Sequence, residues 1–478
     1  VQIKPEASLG HSLFDNAALR WLAHTAAAEL QVYVVGGSIR DHLLQRPCAD
    51  IDLVSVHDPT PLAKALAREF NGHWFWLDQQ RGYSRVVLPK PHPCQFDFSP
   101  LRAQTLAADL ALRDFTINAM AVDLKEFDLK GFDPEHPNPP AASLSAHAPP
   151  LPQISIIDPL GGQQDLNNKR LHLCSATVLQ DDPLRVLKGL RHCATLGFSL
   201  SPETRKAATL AAPALINVAP ERIRSEFASM FSATELPTLG YALSELYRCG
   251  IDTALSLPPA TPEHLQGQII PALEQGFNAL ERCAHIPYMA QRIHWPAGDE
   301  FSFASLGLFA TFLRSASLQR PDPAPPASTC THAAPALKLS HRGQAWLNWF
   351  LHCPAAILPQ LEQLPPRRYP RRALLYLTHL KSPLPHALFA LAFFCTTEYE
   401  VELLAELHQV FALCSKDGRI SPLLSGAAIQ RKYPQIQGKE LGVCLAQLNN
   451  AERTGTITSS AEGWEWVKKY AATIRSGI

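Results

Sequence analysis

The chain has 478 residues, 46% hydrophobic and 18% charged, with 43 basic and 43 acidic side chains and a formal net charge of zero. That length is more than one core can serve, and the composition excludes a disordered or collagen-like chain. Zero net charge excludes a global attraction to nucleic acid, so any RNA contact has to come from local Lys and Arg clusters. In chain order, Val32–Val35 reads as a short strand ending at Gly36-Gly37, residues 39–44 as a helix and residues 51–56 as a strand. Residues 61–70 place Leu62, Leu66 and Phe70 on one helical stripe. Residues 73–77, 83–88 and 94–98 read as strands, with residues 89–93 closing the last two into a hairpin. Trp74, Phe75 and Trp76 are expected to pack in the core or on the sheet face, and Trp464 and Trp466 to pack as well. These elements predict a mixed sheet with helices on one side.

Residues 134–152, rich in Pro, Ala, Ser and His, read as a surface insertion. From Ser175 onward strand signals nearly vanish and helical spacing recurs, as at Leu184, Leu187 and Leu190 and at Trp346, Phe350 and Leu351. A second Pro-rich stretch, residues 320–335, predicts a domain junction or a long loop. The expected fold class is therefore α+β, a mixed-sheet N-terminal domain followed by nearly all-helical chain. Eleven cysteines are scattered from Cys48 to Cys444 with no CxxC pair, and read as reduced thiols in a cytoplasmic protein. No apolar run approaches a membrane span, and no export signal is expected.

Gly36-Gly37-Ser38 falls between a predicted strand and a predicted helix. Paired glycines let the backbone approach an anion, and a helix N-terminus supplies N–H donors to phosphate. Taken alone, such a pair favours a tight structural turn, and Arg40 either meets a triphosphate or pairs with a carboxylate. Asp50 and Asp52, two apart in a strand, project from one face. Parallel carboxylates repel, and a divalent cation relieves the repulsion; magnesium takes carboxylates together with substrate phosphates. An isolated pair more often marks a solvated strand end, but its place one short helix beyond a glycine turn favours the metal reading. Asp97, flanked by Phe96 and Phe98, either completes that site or supports Arg102 or Arg113.

Val34-Val35-Gly36-Gly37-Ser38-Ile39-Arg40-Asp41, then Asp50-Ile51-Asp52, then Arg113-Asp114-Phe115-Thr116-Ile117-Asn118-Ala119 resemble, in order and spacing, the class II tRNA nucleotidyltransferases and bacterial poly(A) polymerases. Asp158-Pro159-Leu160-Gly161-Gly162 with Asp165-Leu166 resembles their head-to-neck hinge. Asp181-Asp182-Pro183-Leu184-Arg185, followed by Leu196-Gly197-Phe198, resembles the base-reading motif, and Pro220-Glu221-Arg222-Ile223 with Glu226 the motif that supports it. Beyond residue 235 the similarity is diffuse, returning at Ser425-Gly426, at Gly438-Lys439-Glu440-Leu441-Gly442 and at Gly455-Thr456-Ile457.

The resemblance implies template-independent addition of nucleotides to an RNA 3′ end, with tRNA as acceptor and CTP and ATP as substrates. It implies a polymerase-β-like nucleotidyltransferase head over residues 1–165, a helical neck over 166–235, a body over 236–390 and a tail over 391–478. Asp50, Asp52 and Asp97 would be the catalytic carboxylates, the first two holding Mg2+ as in two-metal phosphoryl chemistry. Gly36, Gly37 and Ser38 would cradle phosphates, Arg113 and Asp114 would recognise the ribose, and Arg40, Asn118, Arg191 and Arg222 would complete the nucleotide pocket. Asp182 and Arg185, three apart and expected on one helix face, would pair with the base; outside this context they read as a surface salt bridge.

Several positions depart from the family pattern. Leu112 stands where an arginine is usual, and Lys188 and His172 where arginine is common. The segment between Asp97 and Arg113 is shorter than the flexible loop of CCA-adding members, which resembles enzymes that add only the two cytidines. Full CCA addition, poly(A) extension and a catalytically silent tRNA-binding relative are the alternatives. Arg367, Arg368, Arg371 and Arg372 form the densest basic cluster. With Arg431, Lys432, Lys439, Lys468 and Lys469 they either grip the tRNA acceptor and TΨC arms or form a solvated basic face.

Overall fold

The computed structural model describes residues 16–26, 30–48, 50–89, 94–127, 155–284, 296–298, 301–317, 337–340, 343–344, 347, 407, 415–416, 419–420 and 422–476. They fall into two units, Val1–Glu226 with Pro237–Leu255 and Phe227–Leu236 with Ser256–Ile478. Residues 134–152 and 320–335, Trp346, Phe350 and Leu351, and the arginines Arg367, Arg368, Arg371 and Arg372 lie outside the described residues.

The first unit opens with helix α1 (Ala17–Thr25), whose first turn is capped by the Asn16 side chain accepting from the Leu19 amide at 3.1 Å. Strand β1 (Val32–Val35) leads through Gly36 into helix α2 (Gly37–Leu43), then strand β2 (Asp50–Ser55) and helix α3 (Thr60–Glu69). Strands β3 (His73–Asp78), β4 (Tyr83–Leu88) and β5 (Cys94–Pro100) precede a short helix α4 (Leu106–Ala111). Strands β6 (Ala121–Asp123) and β7 (Ile156–Ile157) complete a seven-stranded sheet in the order β3-β4-β5-β2-β1-β6-β7. Only β2 and β5 pair in parallel, so the sheet is mixed, and β4 and β5 form the expected antiparallel pair.

Period-two alternation explains which face is which. Val34, Leu53, Val86, Phe96 and Phe98 point into one core, closed by Leu19 and Leu22 of α1 and Leu62 and Leu66 of α3. Each such fully buried side chain contributes about 1.5–3 kcal/mol. Asp50 and Asp52 alternate with buried Ile51 and Leu53 and so face the other way, where helices were not expected. That second face carries a smaller cluster: Val35, Val54, Leu110 from α4, Ala119 and Ala121. Packing of Trp74 matches expectation, but Phe75 and Leu77 are 43% and 48% exposed. Strand β3 is the sheet's edge, and α3 covers only one of its faces.

Next come α5 (Gly162–Asn167), the strand pair β8 (Arg170–Leu171) and β9 (Ser199–Leu200), and α6 (Val178–Asp181) with α7 (Arg185–Leu196). Asp158 caps α5, its carboxylate accepting from the Gly162 and Gln163 amides at 2.7 and 2.8 Å. Helix α7 buries Val186, Leu187, Leu190, Cys193 and Ala194 and stops at Gly197, whose φ of 70° suits glycine at a helix C-terminus. Helices α8 (Pro202–Ala211), α9 (Pro220–Met230) and α10 (Leu236–Arg248) follow, and the buried Glu245 of α10 is clasped by Arg205 and Arg248.

In the second unit, Phe227, Phe231, Phe301, Phe309 and Phe312 form an aromatic cluster with ring centroids 5.2–6.4 Å apart. Near the C-terminus, helices Gly426–Lys432, Lys439–Thr454 and Ser460–Ser476 bury Ile429, Cys444, Leu448 and Val467 together, with Trp464 and Trp466 packed against them. Helix dominates the described residues after Ser175, as expected. The sequence showed no sign of the short strand pairs Pro296–Gly298 with Phe301–Ser302 and Ser415–Lys416 with Arg419–Ile420. Among the described residues no helix is long and apolar enough to cross a membrane.

Candidate active site

The chemistry collects at the edge of the second sheet face, where β1 hands over to α2. Gly36 has φ 85°, and a Cβ there would lie 2.9 Å from both an Arg113 Nη1 and the Asp52 Oδ2. Glycine is therefore demanded twice, by the backbone and by the close approach of a carboxylate and a guanidinium. Sheet register sets Asp52 between Val35 of β1 and Asp97 of β5. Desolvation pushes the Asp52 carboxyl above the ordinary aspartate range; Arg113, 4.0 Å away, pulls it down, while Asp97 and Asp50 push it further up.

Gly36, Asp52 and Arg113 line a cavity of about 360 Å3. Its lining comprises Gly36, Gly37, Arg40, Asp52, Arg102, Arg113, Asp114, Asn118, Asp182, Arg185, Lys188, Arg191 and His192. Six of those side chains are cationic and three are carboxylates, an imbalance that suits a polyanion. Several of the cations are fixed in place. Arg102 is clasped by the fully buried Asp109 of α4, with Nε to Oδ1 at 2.9 Å and Nη2 to Oδ2 at 3.2 Å. Arg191 donates Nε to Glu226 at 2.8 Å. Arg40 pairs with Asp41 through Nε and Nη2 at 3.0 and 2.8 Å and donates Nη1 to the Asn118 Oδ1 at 2.6 Å. By contrast the buried Nε of Arg113 has no hydrogen-bond partner among the described residues, and an Asp109 carboxylate oxygen lies 4.0 Å away.

Asp114 sits at the turn into the 3-10 helix Thr116–Asn118, accepting from the Phe115 amide at 2.8 Å and the Asn118 Nδ2 at 3.1 Å. Burial pushes its carboxyl up, but Lys188, those two hydrogen bonds and Arg185 outweigh it and hold it below the ordinary range. Opposite, Arg185 is held by the Val178 and Leu112 carbonyls, which accept from Nη1 and Nη2 at 3.2 and 3.3 Å.

Two family models match this chain: a poly(A) polymerase head domain over residues 32–134, and a probable RNA and SrmB-binding site of polymerase A over residues 197–245. A CC-adding tRNA nucleotidyltransferase of Geobacter sulfurreducens is 30% identical over 468 residues, 92% of each chain. The chain belongs to the tRNA nucleotidyltransferase and poly(A) polymerase family. An A-adding tRNA nucleotidyltransferase of Deinococcus radiodurans is 34% identical over 257 residues, 53% of this chain and 49% of the relative. The solved structure of a CCA-adding enzyme with CTP superposes over 95% of this nucleotidyltransferase and 94% of its own chain at TM-score 0.63 and 18% identity, a likeness of fold.

Within this family member the cavity brings together Gly36, Gly37, Arg40, Asp52, Arg113, Asp114, Asn118, Asp182, Arg185 and Arg191 of the residues that the sequence singled out. Others stand apart. The Ser38 hydroxyl is buried and donates to the Val35 carbonyl at 3.2 Å. Asp50 is exposed at the start of β2. Asp97 supports neither Arg102 nor Arg113: it is forked by Arg85 of the neighbouring strand, at 2.6 and 2.8 Å. Nor do Asp182 and Arg185 share a helix. Asp182 is extended, φ −147° and ψ 98°, between α6 and α7, because the following Pro183 disfavours helical backbone before it. Its Oδ1 accepts from the Leu184 amide and its Oδ2 from Arg222 at 2.8 Å, and Arg222 is not among the lining residues. Where arginine is common, His172 instead holds Asp165 at 2.8 Å.

Lys188, His192 and Arg102 also line the cavity but were not among the expected site residues. For the first two the signal was present, since Arg185, Lys188 and His192 recur at i, i+3 and i+7 on one helix face. Hard oxygen donors for a metal are offered by Asp50 and Asp52. Among the described residues no group of three or more His, Cys, Asp and Glu converges as a metal site.

Proposed function

We propose that this protein adds cytidines, two in succession, from CTP to the 3′ end of tRNA lacking its CCA terminus, without a template. The observation that carries the reading is a single cavity joining a strand carboxylate, five cationic side chains and, beside them, Asp182 with Arg185. Those are the three parts that the reaction requires: a reaction centre, a triphosphate clamp and a reader of the base.

In the reaction the RNA 3′-hydroxyl gives up its proton to solvent as its oxygen attacks the α-phosphorus, the bond from that phosphorus to the bridging oxygen breaks and pyrophosphate leaves. Arg102, Arg113 and Lys188 hold the triphosphate and balance charge that grows on the leaving group. Asp114 accepts from the ribose hydroxyls, which favours ribonucleotides. An Asp182 oxygen accepts from the exocyclic amine of the base while Arg185 donates to its ring nitrogen, a pattern that cytosine and adenine share and that uracil and guanine lack. Asp52 with Asp50 suits magnesium, because repulsion among Asp52, Asp50 and Asp97 is relieved by a hard cation, and such an ion needs only one or two carboxylates beside substrate phosphates. Bound there, magnesium would supply Lewis-acid activation of the attacking and leaving oxygens.

Restriction to cytidine is supported by the short connection between Asp97 and Arg113. It is folded into α4 and tied by the buried Asp109, leaving no long loop to reshape the pocket for ATP. The relative matched over 92% of the chain carries CC-adding in its name. We assign tRNA contact to the tail, with Lys432 and Lys439 among the residues that meet phosphate, and keep the division into head, neck, body and tail. Incubation of purified protein with tRNA ending at the discriminator base, magnesium and CTP, ATP or both tests the reading. Two added cytidines whether or not ATP is present is the expected result. A terminal adenosine would make it a full CCA enzyme, and a long adenosine tract a poly(A) polymerase.

A further inference from the structure

His192 is 2% exposed, yet its ring reaches the nucleotide cavity. Its Nε2 lies 3.4 Å from the Asn118 Nδ2, and its ring meets the Phe115 ring edge-on at a centroid distance of 5.9 Å. The orientation of the Asn118 amide follows from its partners. Arg40 is donor-only, so the atom it contacts at 2.6 Å is the amide oxygen. Ionised Asp114 is acceptor-only, so the atom 3.1 Å from it is the amide nitrogen. One amide hydrogen then goes to Asp114, and the other faces the His192 Nε2. That ring nitrogen must be the acceptor, with the imidazole proton on Nδ1.

We infer that His192 is a positioning residue for nucleotide recognition: its Nε2 accepts the second amide hydrogen of Asn118 and so fixes the amide that orients Asp114 toward the ribose. The contact joins α7, which bears Arg185, to the turn that bears Asp114, so base reading and sugar reading are held in one alignment. The charged groups facing the ring agree with an unprotonated acceptor. Lys188 and Arg191 lie on its own helix, Arg40 on α2 and Arg46 just beyond it; of the carboxylates, Asp114 lines the same cavity and bonds the same amide, while Glu226 and Asp41 pair with Arg191 and Arg40. Burial and those cations keep the imidazole neutral far below its ordinary range.

The inference rests on the proposed nucleotidyl transfer for its kinetic arm and has a second arm that does not. In the kinetic arm, kcat/KM for CTP over 2′-deoxy-CTP is compared among wild type, His192→Phe and His192→Gln. Phe keeps bulk without an acceptor and should cut the discrimination about tenfold, the loss of one buried hydrogen bond. Gln, whose carbonyl can accept, should retain most of it, and the KM for tRNA should be unchanged in both. Equal discrimination in wild type and His192→Phe, or equal loss in the Phe and Gln variants, overturns the role. In the second arm, 15N NMR of the imidazole in the nucleotide-free protein should show Nδ1 protonated and Nε2 bare at neutral pH. A proton on Nε2 overturns the inference even if no nucleotide is ever incorporated, whereas an inactive wild type with the expected tautomer overturns the proposed function alone.

Discussion

Gly36 shows how little freedom the reaction centre has. Any side chain there meets Asp52 and Arg113 at 2.9 Å while the backbone sits at φ 85°. Gly36→Ala should therefore lower nucleotide incorporation by about two orders of magnitude while leaving the fold, whose larger core lies on the other sheet face, intact by circular dichroism. Asp52→Ala should abolish incorporation with tRNA affinity nearly unchanged; wild-type rates in that variant would remove the carboxylate from the mechanism. Arg185→Ala should blur the choice among CTP, ATP, GTP and UTP more than it weakens tRNA binding. The pH dependence follows from the sign of the His192 shift. A His whose folded value is lowered stays neutral in the fold above that value; its cost to stability grows as pH falls below the ordinary histidine value, where the unfolded chain takes up the proton first, and levels off below the folded value. Ribose discrimination should thus be flat from pH 8 to about 6, through the ordinary histidine range. An inflection near pH 6.5 traced to His192 would contradict the buried neutral imidazole.

At the scale of elements, much of the head was legible because strands alternate and glycines punctuate. Ile51 and Leu53 against Asp50 and Asp52 define both faces of β2 without any structure. What was not legible depends on lateral neighbours. Nothing in the order of residues says that Arg85 of β4 forks Asp97 of β5, since register is fixed by the whole sheet. The separation of Asp182 from the helix of Arg185 is readable in principle, because Pro183 follows it directly and its effect on the preceding backbone overrides the i, i+3 spacing. Helix α4 carries its own test. Burial pushes the Asp109 carboxyl up, but Arg102 outweighs it and the net value is lowered. Its stabilising contribution is then fully present above the ordinary aspartate range and lost as pH falls through the lowered value. Asp109→Asn should reduce thermal stability at pH 7 and flatten the acid side of the stability profile. An unchanged melting temperature at pH 7 would mean that α4 does not depend on the Arg102 clasp.

For the molecule as a whole, zero net charge leaves RNA binding to local patches, and the first unit gathers six cationic side chains around one cavity. In the tail, Lys432 lies 4.6 Å over the Trp464 ring and Lys439 stands exposed at the start of its helix. Replacing both by alanine should raise the KM for tRNA and shrink the slope of log affinity against log salt by roughly one for each phosphate no longer neutralised. An unchanged slope would place the RNA elsewhere. The proposed chemistry stands on one cavity that binds CTP, reads its base without a template and presents it to an RNA 3′ end. Single-turnover extension of tRNA lacking CCA, followed at nucleotide resolution with CTP, ATP, GTP or UTP alone and with CTP and ATP together, probes that cavity with the fewest intervening steps. Two additions from CTP are expected, none from GTP or UTP, and a product that stays at two cytidines when ATP is added. Failure to extend the RNA with CTP in the presence of magnesium would contradict the assignment.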